Sequence, residues 1–302
     1  AIMMIMASFI IFEGLIGAGS NMAILRVAEN AIDAVDFVNN IPNIEEGKDK
    51  KTIQSYDIEF RNAFFSYDKR EILKDVSCSI KEKSFTAIVG PSGSGKTTFC
   101  NLIARFWDVS SGEITIGGKN IKDYTVENLM NSISMVFQNV YLFEDTVENN
   151  IKFGNPNANM DEVIAAAEKA RCHDFIMELP DKYQTVIGEG GANLSGGERQ
   201  RISIARAILK DAPIIIFDEA TANIDPENEE QLKDAIESLI EDKTVIMIAH
   251  RLKTISNSDQ ILVLNNGEIE ERGTHKVLMQ NEGLYKDLVN AKYISEAWKL
   301  IN

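Results

Sequence analysis

The sequence predicts an α/β fold in which a parallel β-sheet core carries an antiparallel β subdomain and an inserted helical subdomain. The parallel core is indicated by three short runs that are nearly all apolar and rich in β-branched residues, FTAIVG (85–90), PIIIFDEA (213–220) and TVIMIAH (244–250). Two runs that alternate apolar and polar residues, SYDIEFRNAFFSY and ILKDVSCSI, indicate antiparallel strands. The stretch 148–208 has helical spacing and predicts the helical insertion, whose bounds we place at about 141–197.

The composition limits the possible functions. A chain of 302 residues can hold one large domain or two modest ones. Its formal net charge of −15 argues against a nucleic-acid-binding surface, which is normally basic, so we expect no nucleic-acid partner. The three cysteines, Cys78, Cys100 and Cys172, form no CxxC pair and suit a reducing compartment such as the cytosol.

The N-terminal segment predicts a helix that belongs to a membrane. The chain starts at Ala1, and its first twelve residues are apolar or small, whereas a full membrane span needs about 20. We expect residues 1–20 to be the end of a truncated transmembrane helix, with a buried helix as the alternative. Residues 21–51 predict a connecting helix, ended by Pro42, and the charged linker EEGKDKK, so we place the soluble domain at 52–302.

A phosphate-binding loop carries the clearest chemical signal. Gly90, Gly95, Lys96 and Thr97 have the spacing G-x-x-x-x-G-K-T, between an apolar strand and the helical run TTFCNLIARF. In such a loop the glycines let backbone amides surround phosphate groups, the lysine neutralises their charge, and the threonine hydroxyl holds Mg²⁺. The sequence therefore predicts a site for nucleotide phosphates and a magnesium ion.

Two further strand ends supply candidate catalytic groups. In an open parallel sheet, ligands bind beyond the carboxyl ends of the strands. Asp218 and Glu219 end the second apolar run, where Asp218 would support Mg²⁺ and Glu219 would face the attacking water. His250 ends the third run, from which it can reach a γ-phosphate. The alternatives are an ordinary strand-end turn and a structural histidine.

These motifs together resemble the nucleotide-binding domain of an ABC transporter, and the resemblance covers Tyr56 to Tyr285. Besides the Walker A loop Gly90–Thr98, the chain has the other motifs of that family: IIIFDE (214–219), Gln138 in MVFQN, the signature LSGGERQR (194–201), ANID (222–225) and AHR (249–251). The resemblance implies a RecA-like P-loop NTPase core that binds and hydrolyses ATP with Mg²⁺.

The resemblance also assigns roles to residues. Catalysis is assigned to four of them, Lys96, Gln138, Glu219 and His250. The implied magnesium ligands are Thr97, Gln138 and Asp218. The implied nucleotide contacts come from an aromatic ring that stacks on adenine, from the loop and from the signature: Tyr67, Gly90, Pro91, Ser92, Gly93, Ser94, Gly95, Lys96, Thr97, Thr98, Ser195 and Gly197. For Tyr67 the alternative is a strand aromatic that packs in the edge sheet.

The signature LSGGERQR is a second glycine-rich helix start, and the resemblance implies that it serves a nucleotide held by another chain. In ABC ATPases two domains meet head to tail, so Ser195 and Gly197 would contact the γ-phosphate bound to a partner. Every motif is intact in this chain, which favours a homodimer. Two departures, Ala222 where the family often has serine and Glu198 where glutamine is common, remove no catalytic group.

Features around the signature favour the exporter branch of the family. TVIGEGG (185–191) resembles the exporter loop in which Glu189 faces the membrane domain, and GTHKVLMQNEGLYKDL resembles exporter C-terminal segments. The resemblance thus implies an exporter-type half-transporter at the cell membrane, with its ATP-binding domain on the cytoplasmic side and its own transmembrane domain as a partner. The alternatives are an importer ATPase subunit, which would lack the apolar N-terminal block, and a non-transport ABC ATPase, which usually has basic surfaces or long insertions.

Overall fold

The computed structural model describes residues 2–40, 44–49, 52–218, 226–249 and 255–299. Its contacts divide the chain into two units, residues 1–45 and residues 46–302. The first unit contains one long helix, α1 (Ile2–Asn39), which continues through the predicted junction between residues 20 and 21. Among the described residues, no helix has both the length and the apolar content that a membrane crossing requires. The assignment of residues 1–20 to a transmembrane helix stays a prediction.

The second unit contains two main sheets and a group of helices. Its first elements are β1 (Ile58–Tyr67), β2 (Arg70–Ile80), β3 (Phe85–Val89), α2 (Lys96–Ile103), β4 (Ser111–Ile116), β5 (Lys119–Asn120), α3 (Val126–Asn131) and β6 (Ile133–Val136). They are followed by β7 (Asp145–Thr146), α4 (Val147–Lys152), α5 (Met160–Lys169), α6 (His173–Glu178), β8 (Val186–Ile187), α7 (Gly196–Lys210) and β9 (Ile214–Asp218). The last are α8 (Pro226–Ile240), β10 (Thr244–Ile248), β11 (Gln260–Asn265), β12 (Glu268–Gly273), α9 (His275–Gln280) and α10 (Leu284–Lys299).

The larger sheet is the predicted parallel core. Its strand order is β12-β11-β3-β10-β9-β6. The strands from β11 to β6 run parallel, and β12 pairs antiparallel with β11 at one edge. The three apolar runs of the sequence form β3, β9 and β10, and nearly all of their residues are buried. The prediction of a parallel core is therefore confirmed.

The smaller sheet is the predicted antiparallel subdomain, with the order β2-β1-β4-β5. The helix α2 joins this sheet to the parallel core, because it contacts β2 as well as β9 and β10. Phe99 in α2 is fully buried, and its ring stacks on Phe60 in β1 with the centroids 4.2 Å apart. The helix that follows the predicted phosphate loop is thus held on two sides.

The helices α4, α5 and α6 form the predicted helical insertion, together with the short antiparallel pair β7–β8. The long helix α7 connects this insertion to the parallel sheet, because it contacts α4 and α5 as well as β6. Ile202 and Ile204 in α7 share one apolar core with Val136 in β6 and Phe217 in β9. The N-terminus of α7 carries the signature.

Residues 46–49, which lie upstream of residue 52, belong to the second unit. The backbone N–H of Asp49 donates to the Asp123 carbonyl at 3.0 Å, and that of Thr125 donates to the Asp49 carbonyl at 3.1 Å. The Asp49 carboxylate also forms a salt bridge with Lys119. Gly47 lies so close to the Asp123 carbonyl group that a Cβ would overlap it. The contacts of the second unit thus begin upstream of the predicted start of the soluble domain.

We predict that Phe99→Ala lowers the free energy of unfolding by about 3–5 kcal/mol, because it removes a fully buried ring between two sheets and leaves a cavity. The matched control is Phe106→Ala: Phe106 lies shortly after α2 and is 42% exposed, so its loss should be clearly smaller. Urea unfolding with an unchanged m-value measures both losses. Equal losses in the two variants would contradict the role of α2 as the element that joins the sheets.

Candidate nucleotide-binding site

The carboxyl ends of the parallel strands define one edge of the larger sheet. Ile88 in β3 pairs with Ile248 in β10, and Ile248 pairs in turn with Asp218 in β9. On the other side of β9, Phe217 pairs with Val136 in β6. Because these strands are parallel and in register, the loop after β3, the end of β9 and the segment after β6 all leave the sheet at this edge.

The loop between β3 and α2 depends on glycine conformations. Gly90, Gly93 and Gly95 have φ angles of 154°, 78° and 103°, a region that residues with a Cβ rarely adopt. At Gly90 a Cβ would also overlap the carbonyl oxygen of Leu264 in β11. Gly93 and its neighbour Ser92 are exposed at the tip of the loop. The loop therefore needs glycine at its start both for its conformation and for its packing on the adjacent strand.

The side chains of this loop present groups that phosphate oxygens can bind. Lys96 begins α2 and folds back over the loop, where its Nζ donates to the carbonyl oxygens of Gly90 at 3.0 Å and Pro91 at 2.8 Å. Ser94 is 3% exposed, and its Oγ has no hydrogen-bond partner among the described atoms of the protein. Thr97 is exposed at the start of α2. An ammonium group and hydroxyl groups at a glycine loop suit a charged phosphate chain.

Asp218 lies close to the helix that follows the loop. It ends β9 and is half-buried, and α2 contacts this strand. Burial raises the pKa of the Cys100 thiol in α2, and the negative charge of Asp218 raises that pKa further. The strand end at Asp218 and the loop that leads to Lys96 therefore lie at the same edge of the sheet, beside the helix that also carries the buried Thr98.

Of the other predicted catalytic residues, the structure describes only Gln138. Gln138 lies two residues after β6, with its side chain exposed. Glu219, His250 and the run 222–225 lie outside the described residues, so their roles stay predictions. Ala249, which precedes His250, is buried at the carboxyl end of β10.

Tyr67 ends β1 and packs within a group of aromatic rings. Its ring lies edge-on to Phe65, with the centroids 4.7 Å apart, and edge-on to Trp107, with the centroids 5.2 Å apart. Trp107 is 50% exposed, and sequence reasoning missed it because no motif links it to the distant Tyr67. Tyr67 is therefore a packed member of the antiparallel subdomain, and its stacking on adenine stays a prediction.

The helix α7 begins at the signature with a capping box. Ser195 Oγ accepts a hydrogen bond from the backbone N–H of Glu198 at 3.3 Å, and the backbone N–H of Ser195 donates to the Glu198 carboxylate at 2.7 Å. Ser195 and Gly196 are exposed, whereas Gly197 is buried. The glutamate that departs from the common glutamine is thus the partner of the signature serine. The spacing serine-x-x-glutamate is a known helix-start pattern, which could have identified this role from the sequence.

A group of exposed aromatic residues comes from the segment between β6 and β7 and from the end of α4. Tyr141, Phe143 and Phe153 are 55%, 41% and 61% exposed, and we call them the exposed aromatic surface. Arg206 in α7 supports it, because its guanidinium lies over the rings of Phe143 and Phe153 and donates to the Asn150 carbonyl at 2.9 Å. Burial lowers the pKa of Arg206 to about 10. Sequence reasoning missed this surface, since only tertiary contacts assemble it.

The site defines a class of protein. A glycine-rich loop at the carboxyl edge of a parallel sheet, with a lysine over its carbonyl groups and an aspartate on a nearby strand, is the arrangement of a P-loop nucleotide-binding domain. The residues present fit a nucleoside triphosphate with Mg²⁺. Glycine leaves room for phosphate groups, Lys96 is cationic, and the oxygens of Thr97 and Asp218 are ligands that Mg²⁺ prefers.

Comparisons with known proteins identify the family. Residues 73–222 match the model of the ABC transporter family. The chain is 47% identical over 261 residues, 86% of its length, to an ATP-dependent lipid A-core flippase of Syntrophus aciditrophicus. Over 233 residues, 76% of the present chain, it is 47% identical to a Bacillus subtilis protein named as a putative multidrug export ATP-binding/permease protein. A solved structure of a bacterial Atm1-family ABC exporter with ATP bound matches with a TM-score of 0.80 and 39% identity, over 88% of this chain and 48% of that chain.

The chain belongs to the ABC transporter family and contains its ATP-binding domain. The family and the P-loop NTPase fold predicted from the sequence are therefore confirmed. The chain spans 43% of the length of the Syntrophus flippase and 40% of that of the Bacillus protein.

We predict that Glu198→Ala lowers the free energy of unfolding by about 0.3–1.5 kcal/mol, because the backbone N–H of Ser195 loses its acceptor. Glu198→Gln should cost less, since the amide oxygen can still accept that hydrogen bond. Glu162→Ala is the matched control, because Asn159 and Glu162 form the same capping box at the start of α5. Urea unfolding compares the three variants. A stability of Glu198→Ala equal to that of the parent chain would contradict the capping role.

Proposed function

We propose that this chain is the ATP-binding part of an exporter-type half-transporter, in which Mg²⁺-dependent ATP hydrolysis drives a substrate across the cell membrane. The observation that carries the proposal is the meeting of the glycine loop, Lys96 and Asp218 at one edge of the parallel sheet. The similarity to a lipid A-core flippase and to two proteins named for export supports an exporter over an importer subunit or a non-transport ATPase.

Within one chain, the loop Gly90–Thr98 holds the triphosphate. Lys96 neutralises charge on the phosphate oxygens, and Tyr67 stacks on the adenine. Thr97 and Asp218, with Gln138, would hold the Mg²⁺ ion, which neutralises charge on the phosphate oxygens when it is bound.

The chemical step is assigned to two residues at the ends of β9 and β10. Glu219 orients or deprotonates the attacking water, and His250 contacts the γ-phosphate. Both follow strands whose described ends lie at the same edge as the phosphate loop. Positioning of the water and the phosphate chain supplies most of the catalysis in such a site.

Each site is completed by Ser195 and Gly197 of a second copy of the chain. Two features of α7 support this part of the proposal. The helix has 15 residues, so its N-terminus carries a positive partial charge that favours phosphate. Ser195 and Gly196 are exposed there, while the capping box holds the serine in one orientation.

The membrane part of the same transporter docks on the exposed aromatic surface and the loop 185–191, on the cytoplasmic side of the membrane. The two features are joined, since the backbone N–H of Gly190 donates to the carbonyl of Leu142, which lies between Tyr141 and Phe143, at 3.1 Å. Val186 in the same loop is 59% exposed. Contiguous exposed apolar side chains of this kind mark interaction surfaces.

We predict that Glu219→Gln lowers ATP turnover by about 10²–10⁴-fold, the range for loss of a general base, while ATP still binds. Removal of Mg²⁺ with EDTA should abolish turnover of the parent chain. Glu241→Gln, a change of the same charge at an exposed position, serves as the control. Phosphate release and fluorescent-nucleotide binding measure the two steps. Turnover near the parent rate in Glu219→Gln would show that another group activates the water.

We also predict that two inactive variants complement each other. Lys96→Ala disables the loop and Ser195→Arg disables the signature, but a mixed dimer keeps one intact composite site. Random pairing makes half of the dimers mixed, so an equal mixture should recover about a quarter of the parent rate if the two sites act independently.

The controls are each variant alone at the same total concentration, which should be inactive. Phosphate release is measured over a series of protein concentrations, because the competent species is the dimer. An inactive mixture would contradict a homodimer with sites shared between chains.

A further inference from the structure

Arg199 lies in the first turn of α7, one helical turn beyond Ser195, and its side chain runs back past the start of the helix. Its Nη1 donates to the carbonyl of Leu194 at 2.6 Å and to the carbonyl of Gly191 at 3.3 Å. A cation in the first turn of a helix is disfavoured by the helix dipole. The two carbonyl groups upstream of the helix offset this cost, because hydrogen bonds from a charged donor are strong.

The turn formed by residues 188–191 packs directly on this arginine. The backbone N–H of Gly191 donates to the Gly188 carbonyl at 2.8 Å, which closes the turn. A Cβ at Gly191 would come within 2.5 Å of Cδ and 3.0 Å of Cγ of Arg199. Gly191 also has a φ of 79°. The arginine stem therefore occupies the space that any larger residue at position 191 would need.

The same turn is bonded on its other side to the segment after β6. Gly190 donates to the Leu142 carbonyl at 3.1 Å, and Leu142 is fully buried between two residues of the exposed aromatic surface. On the signature side, the backbone N–H of Leu194 donates to the Gly191 carbonyl at 3.0 Å. Hydrogen bonds thus connect the turn to Leu142 on one side and to the residue that precedes Ser195 on the other.

We propose that Arg199 is a positioning residue that fixes Ser195 relative to the turn 188–191, so that this turn and the signature serine move as one body. Both hydrogen bonds come from one nitrogen, Nη1, whose N–H directions are fixed by the guanidinium plane, whereas the ammonium group of a lysine rotates freely. This inference rests on the proposed function, in which Ser195 contacts ATP held by a second chain.

The structure offers a matched pair of glycines for the test. Gly190 and Gly191 both have positive φ angles, 65° and 79°, so alanine is strained at either position. Only at Gly191 would the new Cβ meet Arg199, since a Cβ at Gly190 has no atom within 4 Å. A Cβ at Gly191 would also lie 3.3 Å from Cδ1 of Leu142, so the contact with Arg199 is reported by a difference between the two alanine variants that disappears in the Arg199→Ala background.

The experiment measures ATP-dependent dimerisation by sedimentation, in the 302-residue chain with Glu219→Gln as the parent. Arg199→Ala and Gly191→Ala should each weaken dimerisation about tenfold, as expected for loss of a charged hydrogen bond. Arg199→Lys should fall between Arg199→Ala and the parent, and Gly190→Ala should dimerise more tightly than Gly191→Ala. The double variant Arg199→Ala with Gly191→Ala should be no weaker than either single variant, because both remove the same contact.

A second readout separates positioning from general damage. At protein concentrations too low for dimerisation, each variant monomer should bind a fluorescent ATP analogue with the parent affinity, because the loop Gly90–Thr98 lies in another part of the chain and is unchanged. Dimerisation equal to the parent in Arg199→Ala would overturn the positioning role, and so would equal effects at Gly190 and Gly191. An effect of Arg199→Ala without one of Gly191→Ala would assign the guanidinium to the nucleotide directly and would also overturn it. A parent that stays monomeric in saturating ATP would instead contradict the proposed shared site, and this inference with it.

Discussion

The parallel pairing of β3 with β10 on one side and β11 on the other fixes where the phosphate loop leaves the sheet. Val89 pairs with Val263, so the next residue lies against the carbonyl of Leu264 and has room for a hydrogen atom only. From Gly90 the chain turns through positive φ angles and enters α2, whose position is set by the stacked rings of Phe60 and Phe99. The loop is therefore held at both ends before any phosphate reaches it, which lowers the ordering cost of binding.

The two glycine-rich helix starts differ in whether a side chain caps the first backbone N–H groups of the helix. In the described structure, α2 begins after Gly95 in the left-handed region with no side-chain cap. By contrast, α7 begins with Ser195 and Glu198 bonded to each other's backbone. The first arrangement leaves backbone amides available to a ligand, as the proposed binding of ATP by the same chain requires. The second holds one serine in a defined orientation at an exposed helix end, as the proposed contact to a nucleotide on another chain requires.

Much of the fold could be predicted because its signals are local. The runs that form β3, β9 and β10 are apolar enough to require burial on both faces, and the spacing around Lys96 has a direct chemical meaning. The strand β6 escaped prediction because ISMV is too short to show a period. Trp107 and Arg199 were missed for a different reason, because each depends on a partner that the sequence does not place beside it. Trp107 meets Tyr67 only through tertiary packing. Arg199 meets the carbonyl of Gly191 only because the chain turns before α7. Glu198 is the opposite case, since its capping pattern is visible in the sequence but was interpreted as a neutral departure.

In the proposed function, this chain supplies half of each of two ATP sites. The most direct measurement is the structure of the Glu219→Gln chain with ATP and Mg²⁺, read as the distance from Ser195 Oγ to the γ-phosphate oxygens. We expect Ser195 Oγ to lie within hydrogen-bonding distance, about 2.5–3.0 Å, of an ATP molecule whose phosphates are bound by Lys96 of the other copy. A structure in which Ser195 contacts the ATP held by Lys96 of its own chain would contradict the claim.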